Sequence, residues 1–163
     1  MHVVEIINDV LDFLPTDHPQ RPAVLNILER LASSIAKVQD AGTGVWWQVL
    51  DAGGREKNFR EASASAMFVY ALAKAVRRGF IDRRTYEPVL ARGYRGIVDQ
   101  FLEIDREGHV NLNRVCKVAG LGGNPYRDGS YAYYTSTEVV ANDAKGVGAF
   151  LLASLEVAGL ERQ

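Results

Sequence analysis

Trp46, Trp47, Gln48 and Asp51 fall within six consecutive positions of the segment Gly44-Val45-Trp46-Trp47-Gln48-Val49-Leu50-Asp51, which holds both tryptophans of the 163-residue chain. An indole face stacks on the C–H side of a pyranose, and amide and carboxylate groups take up its hydroxyls, so this set has the make-up of a sugar platform. The same residues also suit a core indole beside an aspartate that caps a turn. Both readings are open at this level.

A second set is Arg127-Asp128-Gly129-Ser130-Tyr131-Ala132-Tyr133-Tyr134. Its guanidinium matches a carboxylate in fork geometry, and its phenols offer donors and flat faces. The alternative is an internal Arg127–Asp128 pair that fixes the loop while tyrosines pack along a rim. Glu61, Ser63 and Ser65 open an apolar helix, where exposed N–H groups favour an anion or where an ordinary cap and close helix packing suffice.

Other candidates carry less. Gly120, Gly122 and Gly123 lack the Gly-Lys-Ser/Thr sequence and the strand-turn-helix setting of a phosphate loop. His2, His18 and His109 share no ligand spacing, so no metal is expected, and no cofactor either. Cys116 has no base beside it and reads as a packed thiol. Lys74, Arg77, Arg78, Arg83 and Arg84 read as a solvated helix-end face.

The elements that must position these residues are mainly helices. Apolar residues at helical spacing predict a first helix over about 2–14, closed by Leu14-Pro15, and a second from Pro22 to about Val38. A third, about 62–78, has 12 apolar residues among its 17 positions, distributed on every side, so it needs neighbours all round. Gly79 ends it, and Asp82 is placed to cap a fourth helix over about 83–102. Short strands at most are expected over 103–118, around a turn at Glu107-Gly108, and a long irregular segment runs over 120–134. A fifth helix, about 143–158, is charged only near its ends.

Well-buried helices thus alternate with more polar ones, the pattern of an all-α protein built from helical hairpins as an α/α barrel. Five helices make about half of a closed ring. One domain spanning residues 1–163 is expected. A net charge of −1 offers no general attraction to nucleic acid or to an anionic membrane. The single cysteine excludes an internal disulfide and is compatible with a reducing compartment, and without a basic n-region or long apolar run a cytoplasmic location is expected.

Several stretches resemble glycoside hydrolase family 105, the unsaturated rhamnogalacturonyl hydrolases, with family 88 glucuronyl hydrolases as relatives. They are Val10 to Pro15, Gly44 to Asp51, Glu61 to Phe68, Val118 to Gly123, Tyr126 to Tyr134 and Asn142 to Gly148, in one order along the chain. The resemblance implies an incomplete six-hairpin α/α barrel and a hydrolase acting on a terminal 4,5-unsaturated uronic acid of pectin-derived oligosaccharides. An acid protonates the double bond, water adds at C5, and the hemiketal opens. Trp46, Trp47, Gln48, Tyr131 and Tyr133 are then expected to bind substrate. The resemblance covers only the C-terminal half of the family, whose catalytic aspartate lies in the other half, so no residue here is assigned as catalytic. A homo-oligomer, or association with a missing N-terminal half, is expected. The alternative is a non-catalytic carbohydrate-binding or interaction module.

Overall fold

The computed structural model describes residues 2–160 and Arg162. Five long helices carry the architecture: α1 (His2–Phe13), α2 (Arg21–Lys37), α3 (Ala62–Arg77), α4 (Arg83–Phe101) and α6 (Ala144–Leu160). A five-residue helix, α5 (Tyr131–Thr135), interrupts the long segment before α6. Two small antiparallel pairs complete the fold, β1 (Leu102–Ile104) with β2 (Val110–Leu112) and β3 (Val115–Cys116) with β4 (Val139–Val140).

The long helices form where the sequence places them because their end signals are local. Asp82 accepts the Thr85 N–H at 2.8 Å and caps α4. Gly79, at φ +69°, lets the chain turn out of α3, and the Phe80 N–H returns to the Ala75 carbonyl at 2.8 Å. Pro22 occupies the first turn of α2.

α1, α3 and α6 lie side by side with α3 in the middle, while α2 packs on α1 and α4 packs on α3. This is an arc of an α/α toroid, with α1, α3 and α6 as its inner helices. The central helix is buried from Ala62 to Val76 without interruption. α1, α4, α6 and β3 together supply the neighbours that apolar residues on every side of α3 require. The open apolar sides belong to α1 and α6.

Close approach behind α3 depends on small residues of α4. A Cβ on Gly93 would stand 3.0 Å from the Trp46 ring, and one on Gly96 would stand 2.2 Å from the Thr43 carbonyl oxygen. The Gly44 to Trp46 backbone therefore lies directly on α4.

Lys74 corrects the expectation of a solvated cationic face. It is only 7% exposed, and its Nζ donates to Asp9 at 2.5 Å and Asp12 at 2.8 Å, joining α3 to α1. Burial alone would lower the Lys74 ammonium, but its hydrogen bonds to Asp12 and Asp9 outweigh that and hold its pKa above the usual value. Arg77 pairs with Glu156 of α6, Arg78 with Asp12, and Arg83 with Glu87. No helix of the described residues is long and apolar enough to cross a membrane.

Candidate functional site

The aromatic segment runs extended beside residues 59–61, with the Gln48 N–H bonded to the Phe59 carbonyl and the Glu61 N–H to the Trp46 carbonyl. Neighbouring side chains on extended backbone point to opposite sides. Trp46 consequently points inward and Trp47 outward.

Trp46 is wholly buried. Its indole N–H donates to the Ile35 carbonyl at 2.9 Å, and its ring meets Phe68 edge-on at 5.4 Å. It forms core, and no face of it is open to a ligand. Trp47 is half-buried; its indole donates to Asp40 at 3.1 Å and the Arg60 guanidinium lies 4.6 Å from its ring centre.

Asp40 also accepts the Thr43 hydroxyl at 2.6 Å and the Thr43 N–H at 2.9 Å. Burial would raise its carboxyl, but the Thr43 bonds, the Trp47 indole and the Arg60 charge hold its pKa below the usual value. The unfolded chain therefore takes up this proton first. Stability from Asp40 is fully present above its unfolded pKa and is lost as pH falls through the lower folded one. Asp40→Asn is expected to lose that acid-dependent component, which urea titrations between about pH 2 and 5 would show as a shallower decline. An unchanged slope would contradict it.

The start of α3 is a structural lock. Glu61 is fully buried, yet both of its carboxylate oxygens are engaged by the Ser63 hydroxyl at 2.8 and 3.0 Å, the Ala64 N–H at 2.5 Å and the Cys116 N–H at 2.8 Å. The Ser65 hydroxyl donates to the Glu61 carbonyl and accepts the Trp46 N–H. Every group proposed for an anion there is already committed to the fold.

The Cys116 bond ties α3 to β3, and pairing of β3 with β4 brackets the segment that contains α5. Ser130 caps α5 by accepting the Tyr133 N–H. On one side of α5 lies a cleft of about 530 Å³ lined by Gln48, Asp51, Arg55, Tyr131 and Tyr134 among others. On the other lies a second, of about 690 Å³, lined by Lys57, Asp128, Ser130 and Tyr133 among others. Of the five residues expected at the site, Gln48 and Tyr131 share the first cleft and Tyr133 opens on the second. Trp47 borders neither and Trp46 is internal.

Gln48 reaches across the first cleft, its amide 3.5 Å from both the Tyr134 carbonyl and the Cys116 Sγ. The Tyr131 hydroxyl donates to the Glu56 carbonyl at 2.7 Å, which fixes its ring. The Arg55 guanidinium covers that ring at 3.8 Å. Arg55 forms no ion pair among the described residues. Sequence reasoning did not find Arg55, because its contact lies 76 positions along the chain and no local pattern announces it.

Arg127 and Asp128 do not pair. The Arg127 Nε donates to the Gly122 carbonyl at 2.8 Å, while Asp128 accepts the Ser130 N–H. A Cβ on Gly120 or Gly123 would come 2.6 or 2.8 Å from the Arg127 terminal nitrogens. These glycines make room for an arginine. Among the described residues, no group of three His, Cys, Asp or Glu side chains converges as a metal would require.

The sequence model of Glycosyl Hydrolase Family 88 matches residues 3–160. This chain belongs to that family. Relatives of the family 88 chain include Protein Atu3128 of Agrobacterium fabrum, 39% identical over 153 residues that cover 91% of this chain and 65% of that protein. An unsaturated 3S-rhamnoglycuronyl hydrolase of Formosa agariphila is 28% identical over 93% of this chain and 35% of its own length. Among solved structures, a C. acetobutylicum glycoside hydrolase from family 105 superposes with a TM-score of 0.92 at 44% identity, covering 95% of this chain and 43% of that one. The family 88 chain thus spans less than two thirds of the length of each of these relatives. The fold and the family are those the resemblance implies.

Proposed function

We propose that this chain supplies one wall of the sugar cleft of an unsaturated uronyl hydrolase of the rhamnogalacturonyl type, acting on pectin-derived oligosaccharides. The observation that carries the reading is Arg55, held over the Tyr131 ring at 3.8 Å without a carboxylate partner among the described residues, in a cleft that also presents the Gln48 amide and the Asp51 carboxylate. A uronic acid brings the group this arrangement lacks. The guanidinium takes the sugar carboxylate, while Gln48 and Asp51 meet hydroxyls. Tyr131 then serves as the seat of Arg55, since the guanidinium occupies the ring face that a sugar would otherwise stack on.

In the reaction, a proton is added at C4 of the unsaturated ring and water at C5, and the resulting hemiketal opens to release the uronic acid. This wall binds and orients the ring. The proton donor lies outside it.

Arg55→Ala is expected to weaken binding of an unsaturated uronyl disaccharide by roughly 10- to 100-fold, the worth of one charge-assisted contact. Affinity for the corresponding neutral sugar is expected to stay the same. Calorimetric titration of both ligands checks this, and an equal loss for the two would refute carboxylate recognition. The chain alone is expected to bind the disaccharide without removing the absorbance of its conjugated double bond. Robust turnover would show that the acid lies within these residues.

A further inference from the structure

One loop serves both of the clefts beside α5. The Tyr131 hydroxyl donates to the Glu56 carbonyl and pins that peptide to the helix, and the residues on either side of Glu56 part to opposite clefts. Arg55 lines the first and Lys57 the second. Each cleft thus holds one cation from this loop, one carboxylate (Asp51 or Asp128) and two tyrosines of the segment over 126–134. The second, at about 690 Å³, is within the size range of small-ligand clefts.

Lys57 is exposed, and its side chain forms neither an ion pair nor a hydrogen bond among the described residues. Asp128 does not need it: the Ser130 N–H donates to that carboxylate at 2.9 Å and holds its pKa below the usual range. Tyr126, in the same cleft, is 77% exposed and keeps its ring free. The backbone adds an independent sign. Lys57 sits at φ +67°, in the left-handed region where a side chain is strained and glycine is not. No contact of the ammonium within the described residues offsets that strain, and strain of this kind concentrates at ligand sites.

We infer that the second cleft binds a further uronic acid of the same oligosaccharide, with Lys57 taking its carboxylate, Tyr126 its C–H face and Asp128 its hydroxyls. The inference rests on the reading of the first cleft as the seat of the terminal uronic acid. A neutral sugar would leave the ammonium unmatched. The oligosaccharide then passes over α5, and the bond between Tyr131 and Glu56 fixes how far apart the two cations stand.

Calorimetric titration with three ligands tests this: the unsaturated uronyl disaccharide, an unsaturated tetrasaccharide with a second, internal uronic acid, and that tetrasaccharide methyl-esterified at the internal carboxylate alone. The unsubstituted chain is expected to bind the free acid about 5-fold more tightly than the ester, the worth of one exposed charge pair, and to lose the preference at high salt. Lys57→Gly is expected to abolish the preference and keep the affinity for the disaccharide. Its urea midpoint is expected to be no lower, because glycine relaxes the left-handed residue. Arg55→Ala is expected to weaken all three ligands by the same factor. Equal binding of acid and ester, a preference that survives Lys57→Gly, or a Lys57→Gly protein that loses both stability and disaccharide affinity would overturn the inference and leave the role of Arg55 standing. A preference that depends on Lys57, with disaccharide affinity undiminished in Arg55→Ala, would refute the first cleft and uphold the second. Binding of none of the three would overturn both.

Discussion

Glu61→Ala is expected to cost about 4 kcal/mol of folding stability, a large share of the 5–15 kcal/mol typical of a folded domain. The carboxylate is fully buried and forms no ion pair among the described residues; hydrogen bonds from Ser63, Ala64 and Cys116 satisfy its oxygens. Alanine removes the acceptor and leaves those donors buried, at about 1–3 kcal/mol for each that finds no substitute. Glu61→Gln keeps one acceptor oxygen and is expected to lose about half as much. Urea denaturation of the three proteins checks the order, and a loss below about 1 kcal/mol for alanine would show that water or neighbouring carbonyls replace the carboxylate. The consequence reaches the cleft. Glu61 holds β3, β3 pairs with β4, and between them sits α5 with Tyr131 and Tyr134.

Such a lock shows how far the sequence could be read. Helix ends were legible because their signals are local: Pro22, Gly79 and Asp82 act within a turn of their own positions. The burial of α3 was legible from apolar residues on every side of it. α5 was not, since five residues span too little of a helical period to show one. Whether Glu61 meets a ligand or caps its own helix was undecidable from the sequence, because the deciding donor, the Cys116 N–H, comes from 55 positions away. Lys74 looked solvated for the same reason, its partners Asp9 and Asp12 lying on a helix the cluster itself does not name.

The cleft was legible in composition and not in assignment. Gln48 and Tyr131 belong to two motifs more than 80 positions apart, and the fold does bring them together. Tyr131 was expected among the residues that bind substrate, and Arg55 covers one face of its ring. With that ring face covered by a guanidinium, the proposed reading of the cleft rests on the cation and not on stacking.

Trp46→Ala is expected to cost about 4 kcal/mol and Trp47→Ala about 1 kcal/mol, although the two residues are adjacent and chemically the same. Removing Trp46 opens a cavity between Phe68 and Gly93 and leaves the Ile35 carbonyl without its indole donor. The cavity cannot close easily, because the Gly96 Cα already meets the Thr43 carbonyl and holds the α4 backbone against the segment. Removing Trp47 takes away a half-exposed ring and one bond to Asp40, and leaves the pairing of Arg60 with Asp40 in place. Thermal or urea unfolding of both variants tests the contrast, and emission spectra of the same proteins identify the indoles. The Trp47→Ala protein, retaining only Trp46, is expected to emit at the blue end and resist iodide quenching. Similar losses for the two variants would mean that the extended backbone at 46–48 does not hold one indole inward and one outward, and the alternation that brings Gln48 to the cleft would fail with it.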